Sequence, residues 1–197
     1  MRIVIDGAHG SGKSTFLNGI KNETNIPSIK QMGQTIFSDL IGKSFFQGRQ
    51  RKIVPPKDQK DWDKLFYLIV KNGIQQYNAG KGSNLFWYER GLHYAKVIAK
   101  MDGNSFSPNL ENIISQYTYD YAFIFEPIET CDFSRIYKAG CRSFSLDDRY
   151  ECVDLTYNIY KETGSKVCKI PVFSNDYIEN FYCRYNMISE FIKKNSI

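Results

Sequence analysis

Residues 7–15 read Gly7-Ala8-His9-Gly10-Ser11-Gly12-Lys13-Ser14-Thr15. They match the phosphate-loop (P-loop) pattern, in which a glycine and four further residues precede Gly-Lys-Ser. The apolar run before them, residues 2–6, is typical of a buried strand, and residues 15–20 have a helical pattern. Because strand, loop, Lys-Ser and helix follow in this order, the sequence predicts a nucleoside triphosphate site rather than a glycine-rich turn without a ligand.

Each type of residue in this P-loop has a predicted role. Gly7, Gly10 and Gly12 permit backbone conformations closed to other residues, so successive N–H groups can point into one concavity. Phosphate oxygens are stabilised there by the positive end of the helix dipole. Lys13 is expected to reach the β- and γ-phosphates, and the Ser14 hydroxyl to complete the coordination shell of Mg²⁺. The predicted cofactors are therefore ATP and Mg²⁺.

Length and composition indicate one packed domain spanning residues 1–197. The chain is 42% hydrophobic and 15% aromatic, which suits a globular core rather than a disordered chain. No apolar run approaches the roughly 20 residues of a membrane span, and cleavage near the N-terminus would destroy the P-loop, so we expect a cytoplasmic protein. The five cysteines are scattered without a Cys-x-x-Cys pair, which indicates reduced thiols rather than a disulfide framework or a zinc site.

Strand and helix patterns alternate along the rest of the chain. The predicted strands cover residues 2–6, 26–29, 84–88, 121–125 and 166–171. The predicted helices cover residues 15–20, 31–41, 61–77, 92–100, 108–117 and 146–163, and a last helix follows Asp176. Asp61 is expected to be the N-cap of the helix 61–77. With right-handed crossovers, this order predicts an α/β fold in which helices cover both faces of a parallel sheet.

A basic insertion loop interrupts the alternation at residues 42–60. Its six Lys or Arg residues lie within 43–60 against one acid, Asp58, and Phe45-Phe46 and Pro55-Pro56 are interspersed. Basic residues beside aromatic ones could grip a nucleotide or a polynucleotide backbone. The alternative is a solvated loop whose Phe pair docks on the domain. The net charge of +5 suits a phosphorylated ligand and permits nucleic acid without requiring it.

Two charged residues, Glu89 and Arg90, follow the central predicted strand. In open α/β sheets this end of a strand faces the ligand, so charged residues there are candidates for chemistry. The carboxylate of Glu89 can accept a proton from an acceptor hydroxyl or hold Mg²⁺ through water, and Arg90 can clamp a phosphate with two hydrogen bonds. The alternative is an ion pair that only closes the end of the sheet.

A second candidate region is residues 131–149, where Arg142 and Arg149 lie before and at the start of a predicted helix. A mobile loop that carries arginines could close over the triphosphate and expel water. The alternative for Arg149 is an ordinary helix start, with the guanidinium paired to surface acids that contribute little stability.

The two histidines give weaker signals. His9 occupies a variable position of the P-loop, where its backbone N–H matters more than its imidazole. His93 could line the acceptor pocket, although a structural histidine is the preferred interpretation. The sequence has no Cys/His cluster, so it gives no reason to expect a structural metal.

Four stretches together carry a family resemblance: the P-loop, Tyr88-Glu89-Arg90-Gly91, residues 119–127, and Asp148-Arg149-Tyr150-Glu151. They resemble the P-loop nucleoside and nucleotide kinase superfamily. Within it, the chain is most similar to the small AAA-type ATPase/kinase group that includes the nicotinamide riboside kinase domain, and the deoxynucleoside kinases are a looser resemblance. The resemblance implies the three-layer P-loop NTPase fold with a five-stranded parallel sheet and a lid segment, and phosphoryl transfer from Mg-ATP to a small acceptor.

By the same resemblance, Glu89 and Arg90 match the family's acidic-Arg pair, and Arg142 and Arg149 match its lid arginines. Relatives commonly carry a glutamate after the second strand that serves the acceptor, whereas this chain has Gln31 at about that place. Either Glu89 is the base alone or the acceptor chemistry differs. The resemblance therefore does not fix the substrate.

Three functions follow from these observations. The leading hypothesis is a Mg-ATP-dependent kinase that acts on a hydroxyl or phosphate of a nucleoside, a nucleotide or a similar small metabolite. The second is a kinase that acts on a nucleic-acid end or a modified DNA base, through the basic loop at residues 43–60. The third is a nucleotide-dependent switch NTPase that signals through a partner. The sequence is compatible with a homodimer and predicts no membrane partner.

Overall fold

The sheet is parallel throughout, with the strand order β2-β3-β1-β4-β5. The computed structural model describes residues 1–24, 28–29, 58–101, 103–130 and 145–196. The strands are β1 (Arg2–Gly7), β2 (Ser28–Ile29), β3 (Phe86–Glu89), β4 (Tyr121–Phe125) and β5 (Lys166–Ile170). Four of them have four to six residues, and the two-residue β2 adds a fifth strand at one edge.

Helices connect or follow these strands. They are α1 (Lys13–Thr24), α2 (Gln59–Ala79), α3 (Tyr94–Met101), α4 (Pro108–Ile114), α5 (Leu146–Glu162) and α6 (Tyr177–Asn195). Among these described helices, none combines the length and the apolar character that crossing a membrane would demand. The predicted helix 31–41, the basic loop up to residue 57 and the lid candidate up to residue 144 lie outside the described residues.

Side-chain caps fix where the helices begin. The Ser145 hydroxyl accepts from the N–H of Asp148 while the Asp148 carboxylate accepts from the N–H of Ser145, a reciprocal capping box at the start of α5. The prediction that Asp61 caps α2 is wrong, because the carboxylate of Asp58 accepts from the N–H of Asp61 and starts the helix three residues earlier. An acid suits either position, since both lie near the positive end of the helix dipole.

Helices cover both faces of the sheet, as predicted. On one face, α1 and α6 pack on the strands around Phe16, Phe123 and Phe181. On the other face, α5 packs on the strands around Val4, Tyr88 and other buried residues. Alternate residues of β1 point to opposite faces, so one apolar strand contributes to both cores. The prediction of an α/β fold with a parallel sheet flanked by helices is confirmed.

The register of the strands determines where charged groups meet. Ile5 of β1 lies beside Glu89 of β3, and Gly7 lies beside Phe125 of β4. The P-loop therefore starts between the C-terminal ends of β3 and β4. Residues that follow those two strands are brought to the same edge of the sheet as the loop.

Candidate functional site

The P-loop departs from β1 through glycines in the left-handed region. Gly7, Gly10 and Gly12 have φ values of +118°, +68° and +79°. At Gly7 an added Cβ would lie 2.4 Å from the carbonyl oxygen of Phe125, so the neighbouring strand also excludes a side chain there. These backbone conformations agree with the reason the sequence gives for glycine at these three positions.

Lys13, the first residue of α1, is buried with its side chain folded against the P-loop. Its Nζ donates to the carbonyl oxygens of Gly7, at 3.2 Å, and Ala8, and to the Ser11 hydroxyl at 2.9 Å. Burial and, to a smaller extent, the positive charge of Arg90 together lower the pKa of Lys13 to about 7, against the opposing effect of Asp6. The ammonium group thus lies inside the loop, within reach of an anion bound there.

Ser14 and Glu89 bring two oxygen ligands together at the first turn of α1. The Ser14 hydroxyl donates to Oε1 of Glu89, whose side chain is 2% exposed. Mg²⁺ prefers oxygen ligands and usually needs only one or two protein groups, because water and substrate phosphates supply the rest. The pair fits that cation. The inference of a Mg²⁺ site depends on this pair alone. The described residues contain no group of three or more His, Cys, Asp or Glu that could hold a metal ion.

Arg90 is held in one orientation beside the loop. It is the one described non-glycine residue with positive φ, at 60°, and its guanidinium lies 3.9 Å from the ring centroid of Tyr94. Nη1 donates to the carbonyl oxygen of Gly7 at 3.4 Å. Among the described residues none accepts a hydrogen bond from Nη2, although that atom is buried. A buried cationic donor without an acceptor suits an anionic ligand.

Asp6, the residue immediately before the loop, lies within the candidate site, although its place in the sequence did not single it out. Its Oδ1 accepts from the N–H of Gly7 at 2.8 Å, and its Oδ2 accepts from the Tyr160 hydroxyl at 2.8 Å and the N–H of Gly91 at 3.2 Å. Burial raises the pKa of Asp6, while Arg90 and Lys13 oppose that rise. The available signal was a charged residue directly after the apolar run 3–5 of β1 and directly before the loop.

Of the two arginines predicted for the lid, the structure describes only Arg149. Arg149 lies in the first turn of α5, and its Nη1 donates to the carbonyl oxygen of Ile128 at 3.2 Å. It lines a small pocket together with His9 of the P-loop, Tyr94 and Cys152. The structure therefore brings Arg149 close to the loop. Arg142 and Gln31 lie outside the described residues.

His93 and Thr15 make their contacts with residues other than the charged ones of the candidate site. Nε2 of His93 lies 2.7 Å from the carbonyl oxygen of Tyr117, and the ring packs edge-on against Tyr119 and Tyr160. Burial lowers the pKa of His93 to about 4, so the ring is neutral at pH 7. This environment agrees with a structural histidine. Thr15 is exposed, and its carbonyl oxygen accepts from the Tyr177 hydroxyl.

Comparison with known proteins gives a family and a set of similar folds. A family model described as "AAA domain" matches residues 2–179. Deoxyadenosine kinase from M. mycoides with bound dATP has a TM-score of 0.57 at 15% identity, over 96% of this chain and 100% of that one. NadR protein in complex with NR has a TM-score of 0.66 at 14% identity, over 96% of this chain and 51% of that one.

A second NadR structure, in complex with NAD and AMP-PNP, has a TM-score of 0.63 at 12% identity, over 96% of this chain and 49% of that one. This chain thus spans about half the length of the NadR structures. At such low identities these likenesses establish the fold. No curated protein matches the chain in sequence.

Proposed function

The chain belongs to the AAA domain family, and from that premise we propose that it is a Mg-ATP-dependent kinase. It transfers the γ-phosphoryl group of ATP to a hydroxyl or phosphate of a nucleoside, a nucleotide or a similar small metabolite. One observation carries the proposal: Glu89 at the end of β3 contacts Ser14, and Arg90, the next residue, contacts the start of the P-loop. An acid and an arginine at that place offer a base and a clamp for an acceptor, which supports phosphoryl transfer.

The reaction needs positioning and charge neutralisation more than covalent help from the protein. The acceptor oxygen attacks the γ-phosphorus, the bond from that phosphorus to the bridging oxygen breaks, and ADP leaves with the electron pair. When the acceptor is a hydroxyl, Glu89 takes its proton or orders a water that does so. Glu89 is 2% exposed, which favours a dry site in which such a transfer is protected from competing hydrolysis.

The basic groups have separate roles in this proposal. Lys13 exchanges the carbonyl oxygens of Gly7 and Ala8 for phosphate oxygens and stabilises the charge on the transferring group. Arg90 offers its Nη2, the donor without an acceptor, to the acceptor or to a phosphate. Ser14 and Glu89 would hold Mg²⁺, which supplies charge neutralisation between the phosphates when bound.

The arginines of the lid candidate complete the proposed site. Arg149 lines the pocket that also contains His9, which supports a role for Arg149 in contacting a phosphate group held by the loop. Arg142 belongs to the same segment and is proposed to act with it. The fold shared with deoxyadenosine kinase, which was solved with dATP, and with NadR, solved with AMP-PNP, supports a nucleotide as the ligand.

Mg-ATP turnover against a panel of acceptors tests the proposal. The panel contains nucleosides, nucleoside monophosphates, nicotinamide riboside, and DNA or RNA with free 5′-hydroxyls. Turnover that rises with one small-molecule class supports the proposal and names the acceptor. Turnover that rises only with polynucleotides, with strongly salt-dependent binding, would instead assign a nucleic-acid kinase. Tight nucleotide binding without stimulation by any acceptor would favour the switch NTPase.

A further inference from the structure

Arg184, in the middle of α6, reaches the P-loop from the opposite end of the chain. Its Nη1 donates to the carbonyl oxygen of Ser11 at 2.6 Å, its Nε to that of Pro171 at 3.0 Å, and its Nη2 to that of Glu126 at 3.4 Å. The guanidinium lies 4.4 Å from the ring centroid of Phe125, and the residue is 2% exposed. One side chain therefore joins the loop to the segments that follow β4 and β5.

The contact with Ser11 orients a peptide group of the loop. In a planar trans peptide the carbonyl oxygen and the following N–H point in opposite directions. Because Arg184 binds the Ser11 oxygen, the N–H of Gly12 points away from Arg184. Gly12 has φ +79°, and a Cβ on it would lie 3.4 Å from Nη1 of Arg184, so the guanidinium packs closely against this part of the loop.

The guanidinium of Arg184 forms no ion pair with a carboxylate among the described residues. Within the described part of the chain, no carboxylate oxygen lies within 4.0 Å of the guanidinium, whose hydrogen bonds go to three carbonyl oxygens. Burial lowers the pKa of Arg184 to about 10, so the group is still positive at pH 7. The Glu126 carboxylate partly opposes the effect of burial, but the direct partners of this cation are carbonyl dipoles, so its charge favours an anion at the loop.

We propose that Arg184 is a positioning residue for triphosphate binding: it holds the Ser11–Gly12 peptide of the P-loop with its N–H directed toward the ligand. The inference rests on the proposed function, because it assumes that the loop binds phosphate. A purely structural role would be different. The contacts with Pro171 and Glu126 alone would then tie α6 to the sheet, and Arg184 would affect stability without a specific effect on phosphate affinity.

The test measures binding of inorganic triphosphate and of Mg-ATP by calorimetry to the wild type and to three variants of the full chain. Arg184→Met removes every hydrogen bond and the charge, and Arg184→Lys keeps the charge and one donor. Ile188→Ala is the matched control, because Ile188 is a buried residue of the same helix in the core cluster around Phe16. Inorganic triphosphate isolates the contribution of the loop from that of the nucleoside.

We expect Arg184→Met to weaken both ligands about 10- to 100-fold, the effect of losing a charge-assisted hydrogen bond, and Arg184→Lys to recover part of that loss. Ile188→Ala should lower the melting temperature while changing affinity less than about twofold. Amide hydrogen exchange of Gly12 should accelerate in Arg184→Lys while core strand amides do not change.

Two outcomes overturn the inference. The first is that Arg184→Met and Ile188→Ala lose the same amount of stability and also the same amount of ligand affinity. Arg184 would then have only a structural role. If Arg184→Met fails to fold, wild-type affinity and wild-type Gly12 exchange in Arg184→Lys would overturn it as well. A wild-type chain that binds neither inorganic triphosphate nor Mg-ATP would reject the proposed function itself, which is a distinguishable result.

Discussion

Oδ1 of Asp6 and Nη1 of Arg90 lie 3.7 Å apart, with 0% and 3% of their side chains exposed. The pair joins the end of β1 to the residue that follows β3, across two neighbouring strands. Arg90 is thereby fixed in a left-handed backbone conformation with its guanidinium between the carboxylate and the ring of Tyr94. Two charges buried together are costly to separate, because either one alone would have lost its hydration without compensation.

Removing the charge of Asp6 should therefore destabilise the fold. We expect Asp6→Asn to lower the free energy of unfolding by about 3–5 kcal/mol, since Arg90 would lose a buried partner. The matched control is Asp154→Asn, which breaks a pair with Lys169 whose side chains are 63% and 40% exposed. That change should cost less than about 1 kcal/mol. Urea unfolding measures the loss in free energy of unfolding for each variant. Equal losses would show that the buried pair contributes no more stability than the exposed one.

Glu89→Gln tests the proposed role of the acid. The change preserves shape, and the amide oxygen can still accept from the Ser14 hydroxyl, so we expect the fold to be retained. Loss of a general base lowers turnover by about 10²–10⁴, and steady-state kinetics with the preferred acceptor measures this. A decrease of less than about tenfold would assign Glu89 to structure.

His93 should make stability depend on pH. Its pKa is about 4 in the folded protein and near 6.5 in the unfolded chain, so the unfolded state binds more protons between these values. This contribution is complete above pH 6.5 and is lost as pH falls toward 4; the loss of stability at pH 4 is about 3 kcal/mol.

His93→Phe removes that titration while keeping an aromatic ring against Tyr119 and Tyr160. We expect the variant to be less stable than the wild type at pH 7.5, because the contact with the carbonyl oxygen of Tyr117 is lost. Between pH 7.5 and pH 4 the variant should gain about 3 kcal/mol of stability relative to the wild type, which reverses the difference. A stability difference that stays constant from pH 7.5 to pH 4 would contradict a depressed pKa for His93.

The parts of the fold that follow local rules could be predicted from the sequence. The P-loop has a fixed spacing, and β4 at Tyr121–Phe125 is an uninterrupted apolar run, so both were identified from the residues alone. The position of Glu89 and Arg90 at the loop followed from the rule that ligands meet the carboxyl ends of parallel strands. The cap of α2 was misplaced because two acids, Asp58 and Asp61, both precede the apolar pattern.

Contacts between distant segments could not be predicted in the same way. Tyr160 is 154 residues from Asp6, and Arg184 is 173 residues from Ser11, so only the packing of α5 and α6 brings them together. A signal for Arg184 did exist in the sequence. It lies three residues after Phe181 and four before Ile188, on the apolar face of α6, where a charged residue requires a buried partner.

Lys13 is the residue on which the account depends most. Its side chain is buried and its ammonium group binds loop carbonyl oxygens. Lys13→Met is therefore a better probe than Lys13→Ala, because it keeps the aliphatic stem that fills the site. We expect Lys13→Met to unfold at a temperature within a few degrees of the wild type.

The most direct measurement follows the label of γ-³²P-ATP in the presence of Mg²⁺ and the acceptor panel, with Lys13→Met run in parallel. We expect the wild type to move label onto one class of acceptor and the folded Lys13→Met variant to move none. Label released only as inorganic phosphate with every acceptor, or transfer by Lys13→Met at the wild-type rate, would contradict phosphoryl transfer at this site.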